Sequence, residues 1–338
     1  MEIPPRIVRR AILAPAFIVV TLFAVTALPV ELIVAAFASR YVPGRWRPLR
    51  LAWFAVLWMV LESIVLVALF GLWLAAGFGR RIATRGSQDA HYRLMAWFLH
   101  MVVASARRTF GLKITFDGPL PAEGADRPLL VFARHAGPGD SILLVDALLN
   151  RAGRRPRIVL KDTLQWDPAI DIALNRLPSR FVSTHTPAGM NAVDAIAVLA
   201  AGLGADDALV IFPEGGNFTP RRRLKAIERL RTAGLFDFAR RATAMEHLLP
   251  PKPGGVLAAI RNAPDAMILF VGHAGLETMS TVGDIWAGMR MDVTVRTRFW
   301  SDLAVDLPAG EPALREWLYD RWAEMNAWLD GDGRDLGT

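Results

Sequence analysis

Two long apolar runs open the chain, Ala11–Ala38 and Leu51–Phe78, each 28 residues. As helices they extend roughly 42 Å at about 1.5 Å per residue, more than the roughly 30 Å of a hydrocarbon core. Each contains one acid, Glu31 and Glu62, and the first also holds Pro15 and Pro29, so tilted or kinked helices are expected. Ser39–Arg50 between them carries Pro43, Gly44 and Pro48, turn chemistry that closes a helical hairpin with both outer ends on one side. A secretory signal does not fit the first run, because signal cores span about 7–15 apolar residues. Two such stretches around an Arg-rich turn are also hard to bury inside so small a soluble body. The pattern then changes. Ala90–Phe110 places Leu94, Trp97, Phe98, Met101 and Val102 at helical spacing. Short apolar strands are predicted at Leu112–Phe116, Leu129–Ala133, Arg157–Leu160, Ala208–Phe212, Met267–Val271 and Met291–Thr297. Helices are predicted between them at Ser141–Arg151, Ala169–Arg176, Gly189–Ala201 and Arg223–Arg241, and at the end over Pro312–Leu329, whose Trp-rich apolar face predicts a docked surface helix. This alternation gives an α/β domain, a mixed sheet flanked by helices. It is preceded by an N-terminal two-helix membrane hairpin, with residues 1–85 as the anchor and 86–338 as the α/β domain.

Composition supports this division. Of 338 residues, 53% are hydrophobic and only 21% charged, too apolar for a disordered chain. The net charge of +7 sits wholly in residues 1–85, which hold ten Arg and three acids, while the remaining 29 basic residues balance 29 acids. A basic protein invites a nucleic-acid reading, but this distribution places the excess at the ends of apolar runs. There it reads as interfacial Arg available to anionic head groups, and no nucleic-acid partner is expected. Six Arg at the outer ends of the hairpin against four in its loop favour a catalytic part on the cytoplasmic face. Zero Cys excludes a thiolate nucleophile and sulfur-based zinc sites. The six His (91, 100, 135, 185, 247, 273) are dispersed without ligand spacing, so no metal is expected.

Two loops follow predicted buried strands. In Arg134-His135-Ala136-Gly137-Pro138-Gly139-Asp140, Gly and Pro let the chain fold back so that Asp140 reaches one nitrogen of His135, fixing the tautomer and freeing the other nitrogen to take a proton. Phe212-Pro213-Glu214-Gly215-Gly216-Asn217 is followed by Arg221, Arg222, Arg223 and Lys225. Its glycines allow backbone amides to approach a ligand, and the basic run offers a phosphate site. Taken singly, these are also an ordinary polar pair, an ordinary turn and a solvated helix face. Their combination in one α/β domain behind a membrane hairpin is what points to chemistry.

At these residues the sequence resembles the glycerolipid acyltransferases, which include the 1-acylglycerol-3-phosphate acyltransferases. His135 and Asp140 match the family's His, four residues, Asp block, and Phe212 to Gly215 match its Phe-Pro-Glu-Gly block at the family's spacing. The similarity covers about residues 90–300. Arg134 stands where the family often has Asn, and Gly216-Asn217 where it often has Ser or Thr followed by Arg. Arg180 precedes Phe181 in a segment, Leu177–Thr184, that only loosely follows the family's second block. The apolar fourth block would fall at Met267–Gly272, without its Pro. The resemblance implies transfer of an acyl chain from acyl-CoA or acyl carrier protein, as co-substrate and with no further cofactor, to the free hydroxyl of a lysophospholipid. His135 would deprotonate the hydroxyl, Asp140 orient the ring, and the alkoxide attack the thioester without an acyl-enzyme. Glu214, Gly215 and Gly216 would position the glycerol and phosphate. Arg221, Arg222, Arg223 or Lys161 would pair with phosphate, with Arg180 and Arg134 as further candidates. The first acceptor to consider is 1-acylglycerol-3-phosphate. Arg134, Gly216 and Asn217 leave open another lysophospholipid or a membrane glycolipid, and a non-catalytic lipid-binding scaffold is the alternative outside enzymes.

Overall fold

Seven short strands form one sheet: β1 (Lys113–Asp117), β2 (Leu129–Ala133), β3 (Arg155–Lys161), β4 (Arg180–Val182), β5 (Asp207–Ile211), β6 (Met267–Ala274) and β7 (Thr294–Leu303), in the order β1-β7-β6-β2-β5-β3-β4. The computed structural model describes residues 3–44, 46–118, 126–183, 191–276 and 294–335. All neighbours pair in parallel except β6 and β7, so the sheet is mixed. The continuously apolar β2 (LLVFA) and the apolar β5 (DALVI) are buried along their whole length, as central parallel strands covered on both faces must be.

The helices are α1 (Arg6–Ala38), α2 (Arg47–Ala75), α3 (Arg85–Phe110), α4 (Pro138–Asn150), α5 (Pro168–Leu174), α6 (Ala192–Ala201), α7 (Pro220–Thr232), α8 (Phe236–Ala244), α9 (Pro253–Asn262) and α10 (Glu311–Asp335). Leu144 and Leu148 of α4 cover one sheet face with Leu129, Val131 and Val271. On the other, α6, α9 and α10 pack over Leu130, Phe132, Leu209 and Phe270. The terminal helix docks as its pattern predicts: Trp322 is fully buried and its Nε1 donates to the Leu249 carbonyl at 3.0 Å.

Several elements differ from expectation. The single helix expected over Arg223–Arg241 is two, α7 and α8, because Gly234 adopts φ +73° between them and ends the first. Strand β4 and helix α9 were not predicted: β4 has three residues and α9 begins Pro-Gly-Gly, both weak in periodicity. Residues 291–293 of the expected strand Met291–Thr297, residues 189–190 of the expected helix Gly189–Ala201, and Thr184 and His185 lie outside the described residues.

α1 and α2 form the expected hairpin, tied where Ser63 Oγ donates to Thr21 Oγ1 at 2.9 Å. Val65, Leu66 and Leu69 of α2 pack with Ala14 of α1 onto Ala169 and Ile172 of α5, and α3 follows α2 through the ring contacts Phe54–Phe110 and Trp58–Phe98. The arginines at the start of α1 correct the sequence expectation. Arg9 donates to buried Asp171 at 2.6 Å and to Gln165 at 2.9 Å, Arg10 to Asp171 at 3.2 Å, and Arg6 to Asn175 at 2.8 Å. Arg9 and Arg10 thus fasten the hairpin to the α/β domain, Arg9 from a buried position, while Arg6 stays exposed.

Candidate active site

Parallel strands end together at one rim of the sheet, the usual place for ligands in open α/β sheets. β2 delivers Arg134 and His135 there, β5 the loop 212–217, β3 Lys161 and β6 His273. Helix α4 begins at Pro138, three residues after His135, and Asp140 is the third residue of that helix. A carboxylate at that position turns back to the free amides at the helix start: Asp140 Oδ2 accepts from Ala136 N at 2.6 Å and Gly137 N at 2.9 Å. The same carboxylate faces His135, whose Nδ1 lies 3.1 Å from Oδ1 and 3.2 Å from Oδ2, and it accepts from Ser141 Oγ at 3.0 Å. The two motif residues therefore meet through the geometry of a helix start. Burial opposes charge on Asp140, but hydrogen bonds from His135 and His273 outweigh it and hold the carboxyl well below its ordinary range. An ionised Asp140 holds the proton of His135 on Nδ1, which leaves Nε2 as the basic atom. The ring leans on Phe212 with centroids 4.4 Å apart, and the side chain is 20% exposed.

Glu214 is placed differently from the sequence expectation of a substrate ligand. Its carboxylate is buried and accepts His135 N on Oε1 at 2.8 Å and Leu249 N on Oε2 at 3.0 Å. It clamps the two site loops to each other. Burial pushes its carboxyl up to about 7 against the pull of these amides and of Arg134. Gly215, at φ +68°, spends its amide on Phe212 O at 3.0 Å, so that amide closes the turn and faces no ligand. Gly216 stands beside the Arg222 guanidinium.

The expected cations separate. Arg134 is 1% exposed and donates to the carbonyls of His273 and His247, so it braces β2 against its neighbours and does not reach solvent. Arg223 donates to Met245 O at 2.6 Å and Thr243 O at 2.7 Å, and Arg222 to Asn217 O at 3.0 Å, while Arg221 is exposed on the first turn of α7. Arg180 opens the edge strand β4, paired with Val159 two residues below Lys161, three strand spacings or roughly 14 Å from β2. It does not join the dyad. Lys161 is exposed at the end of β3.

One cation escaped the sequence reading. Lys252 lies against Gly215 so closely that a Cβ there would come within 2.5 Å of its Nζ, and its amide donates to Pro213 O at 2.9 Å. Partial burial, then the neighbouring charges of Arg229 and Lys161, push its ammonium down. Arg229 and Lys161 thus stand within electrostatic reach of Lys252, which lies against the Phe212–Asn217 loop. The available signal was compositional: only four of the 39 basic residues are Lys, and this one stands between two prolines. A narrow apolar cavity adjoins the dyad, walled by Ile114, Phe116, Leu143, Leu144, Val271 and Phe299, with Asp140 and His273 in its lining.

Comparison with known proteins adds three findings. Residues 113–268, from the start of β1 into β6, match the Acyltransferase family model. No curated protein matches the sequence. The crystal structure of the 1-acyl-sn-glycerophosphate (LPA) acyltransferase PlsC from Thermotoga maritima is similar over 82% of this chain and 98% of that one, at 13% identity and a TM-score of 0.48. The matched segment contains the His135–Asp140 and Phe212–Gly215 blocks, so the α/β domain carries an acyltransferase signature.

Proposed function

We propose that this acyltransferase moves an acyl chain from acyl-CoA or acyl carrier protein to the free hydroxyl of a lysophospholipid at a membrane surface, with 1-acylglycerol-3-phosphate as acceptor and phosphatidic acid as product. The observation that carries the reading is the His135–Asp140 pair at 3.1 Å, with Nε2 left as the base. His135 Nε2 takes the hydroxyl proton as the acceptor oxygen attacks the thioester carbonyl. The C–S bond then breaks, and the thiolate receives the proton back from His135. Ionised Asp140 stabilises the imidazolium that forms in between, and proton transfer by a base positioned in this way contributes about 10²–10⁴-fold. Lys161, Arg229 and Lys252 supply positive charge for the acceptor phosphate, and the apolar cavity beside Asp140 suits the first methylenes of an acyl chain.

The hairpin, residues 1–85, serves as anchor for the catalytic part, residues 86–338, on the cytoplasmic face. Val20, Phe23, Ile33 and Phe37 of α1 are exposed, and only 11% of its most apolar window is buried in the protein. A surface of this kind calls for hydrocarbon around it. The reading of another acceptor loses part of its motive, since Arg134 is an internal brace, and it now rests on Gly216 and Asn217.

The test is acyl transfer by the purified protein in mixed micelles, with labelled acyl-CoA and a panel of lysolipids. We expect phosphatidic acid from 1-acylglycerol-3-phosphate, and a loss of about 10³-fold in His135→Ala. Unchanged transfer in that variant overturns the base assignment. Preference for a different lysolipid changes the acceptor, and absence of turnover with every acceptor leaves the scaffold reading.

A further inference from the structure

His273 is the next-to-last residue of β6, and the ladder pairs Ala133 with Val271. Continued two residues past the end of β2, that register brings His135 to the level of His273 on the neighbouring parallel strand, at a strand spacing of about 4.8 Å. Asp140 lies against both imidazoles: His273 Nε2 is 3.4 Å from Oδ2, and His135 Nδ1 is 3.1 Å from Oδ1. His273 is 6% exposed, and apart from this contact with Asp140 neither ring nitrogen has a hydrogen-bond partner among the described residues. The rest of its setting is the apolar cavity wall of Phe116, Leu144, Val271, Leu276 and Phe299. An unsatisfied polar group buried there costs about 1–3 kcal/mol, and an aliphatic side chain would suit the packing better. Contact with Asp140 is what an imidazole adds.

The charged and titratable groups around the ring are few. Besides Asp140 they are His135, Arg134 donating to the His273 carbonyl, Asp146 of α4 in the same cavity lining, and Glu214 bonded to the His135 amide. From β7, neutral Thr297 pairs with His273, flanked by Arg296 and Arg298, and from α10 the neutral Met325 lies beside Gly272.

We propose that His273 is a positioning residue that gives its Nε2–H to Asp140 and thereby sets the basicity of His135, making the base a His135–Asp140–His273 unit. The proposal rests on the reading of His135 as general base. A carboxylate that accepts from a second imidazole draws less strongly on the Nδ1–H of His135, so His135 holds its Nε2 proton more weakly. Positive charge on His273 at low pH acts in the same direction. The base thus stays neutral further into the acid range than a His-Asp pair alone would allow.

The test uses the full chain in detergent micelles with ¹⁵N-labelled histidine, since only six His contribute signals. His135 and His273 are assigned by the signals lost in His135→Gln and His273→Gln. The titration midpoint of His135 is expected to rise by about one pH unit in His273→Leu and to return most of the way in His273→Gln, which retains a donor. An unmoved midpoint in His273→Leu, or an equal rise in both variants, overturns the proposal. Should the Leu variant fail to fold, the wild-type spectrum decides: His273 must be the Nε2–H tautomer, and the Nδ1–H tautomer overturns it. These readouts need no turnover, so absence of acyl transfer would defeat the base reading while leaving the coupling of the two imidazoles measured. Where transfer is measurable, the acid limb of kcat/KM moves upward together with the His135 midpoint.

Discussion

Glu214 holds two amides from loops far apart in the chain, His135 and Leu249, inside a site that excludes water from it. With its carboxyl pushed up from 4.5 to about 7 by burial, the folded state binds a proton that the unfolded state has already released. Its contribution to stability is therefore complete below about pH 4.5 and is lost as pH rises toward 7, on the order of 3 kcal/mol. Asp140 acts with the opposite sign and in a lower range, because its depressed carboxyl favours folding once ionised. We expect urea unfolding between pH 4.5 and 7.5 to show wild-type stability falling relative to Glu214→Gln. Parallel curves for the two proteins would mean that Glu214 ionises as freely as it does in water. His135 and Asp140 were legible because they lie five residues apart and meet at one helix start. Lys252 beside Gly215, and His273 beside Asp140, meet only across the sheet. Arg134 and Arg223 had the charge expected of phosphate ligands, but they are turned to backbone carbonyls, which no local pattern announces.

Among the elements, α10 reaches the site loops at Leu249. Leu249 offers its amide to Glu214 and its carbonyl to Trp322, so the terminal helix holds the loop that also carries Lys252. Trp322→Ala removes a fully buried ring and that hydrogen bond, and is expected to destabilise by about 3–5 kcal/mol. The same variant, assayed well below its melting temperature, is expected to raise KM for the phosphate-bearing acceptor more than it lowers kcat. A variant as stable as wild type in thermal unfolding would show that α10 is only loosely applied. The periodicity of this helix was strong enough to foretell its docking. The break at Gly234, the three-residue β4 and the Pro-Gly-Gly start of α9 carry little periodicity, and sheet neighbours and core contacts decide them.

For the whole molecule, the +7 charge sits in the hairpin segment, and part of it is an internal fastening. Arg9 and Arg10 meet Asp171, while the outward surface of α1 is apolar. Membrane attachment should then depend on hydrocarbon contact and little on lipid charge. We expect the protein to stay on neutral phosphatidylcholine vesicles in about 1 M salt, where exposed charges are screened within roughly 3 Å, and to be released by detergent. Release by salt alone would assign the attachment to the arginines. The sequence by itself determined the hairpin, the α/β class, the central strands and the pairing of His135 with Asp140, because each is written in side-chain periodicity or in a spacing of a few residues. The tertiary structure alone decided which cations turn to backbone carbonyls, that Glu214 clamps two loops, and that a second imidazole stands against Asp140. Those roles depend on strands and loops distant in sequence ending at one rim of the sheet, a convergence set by the packing of the whole domain.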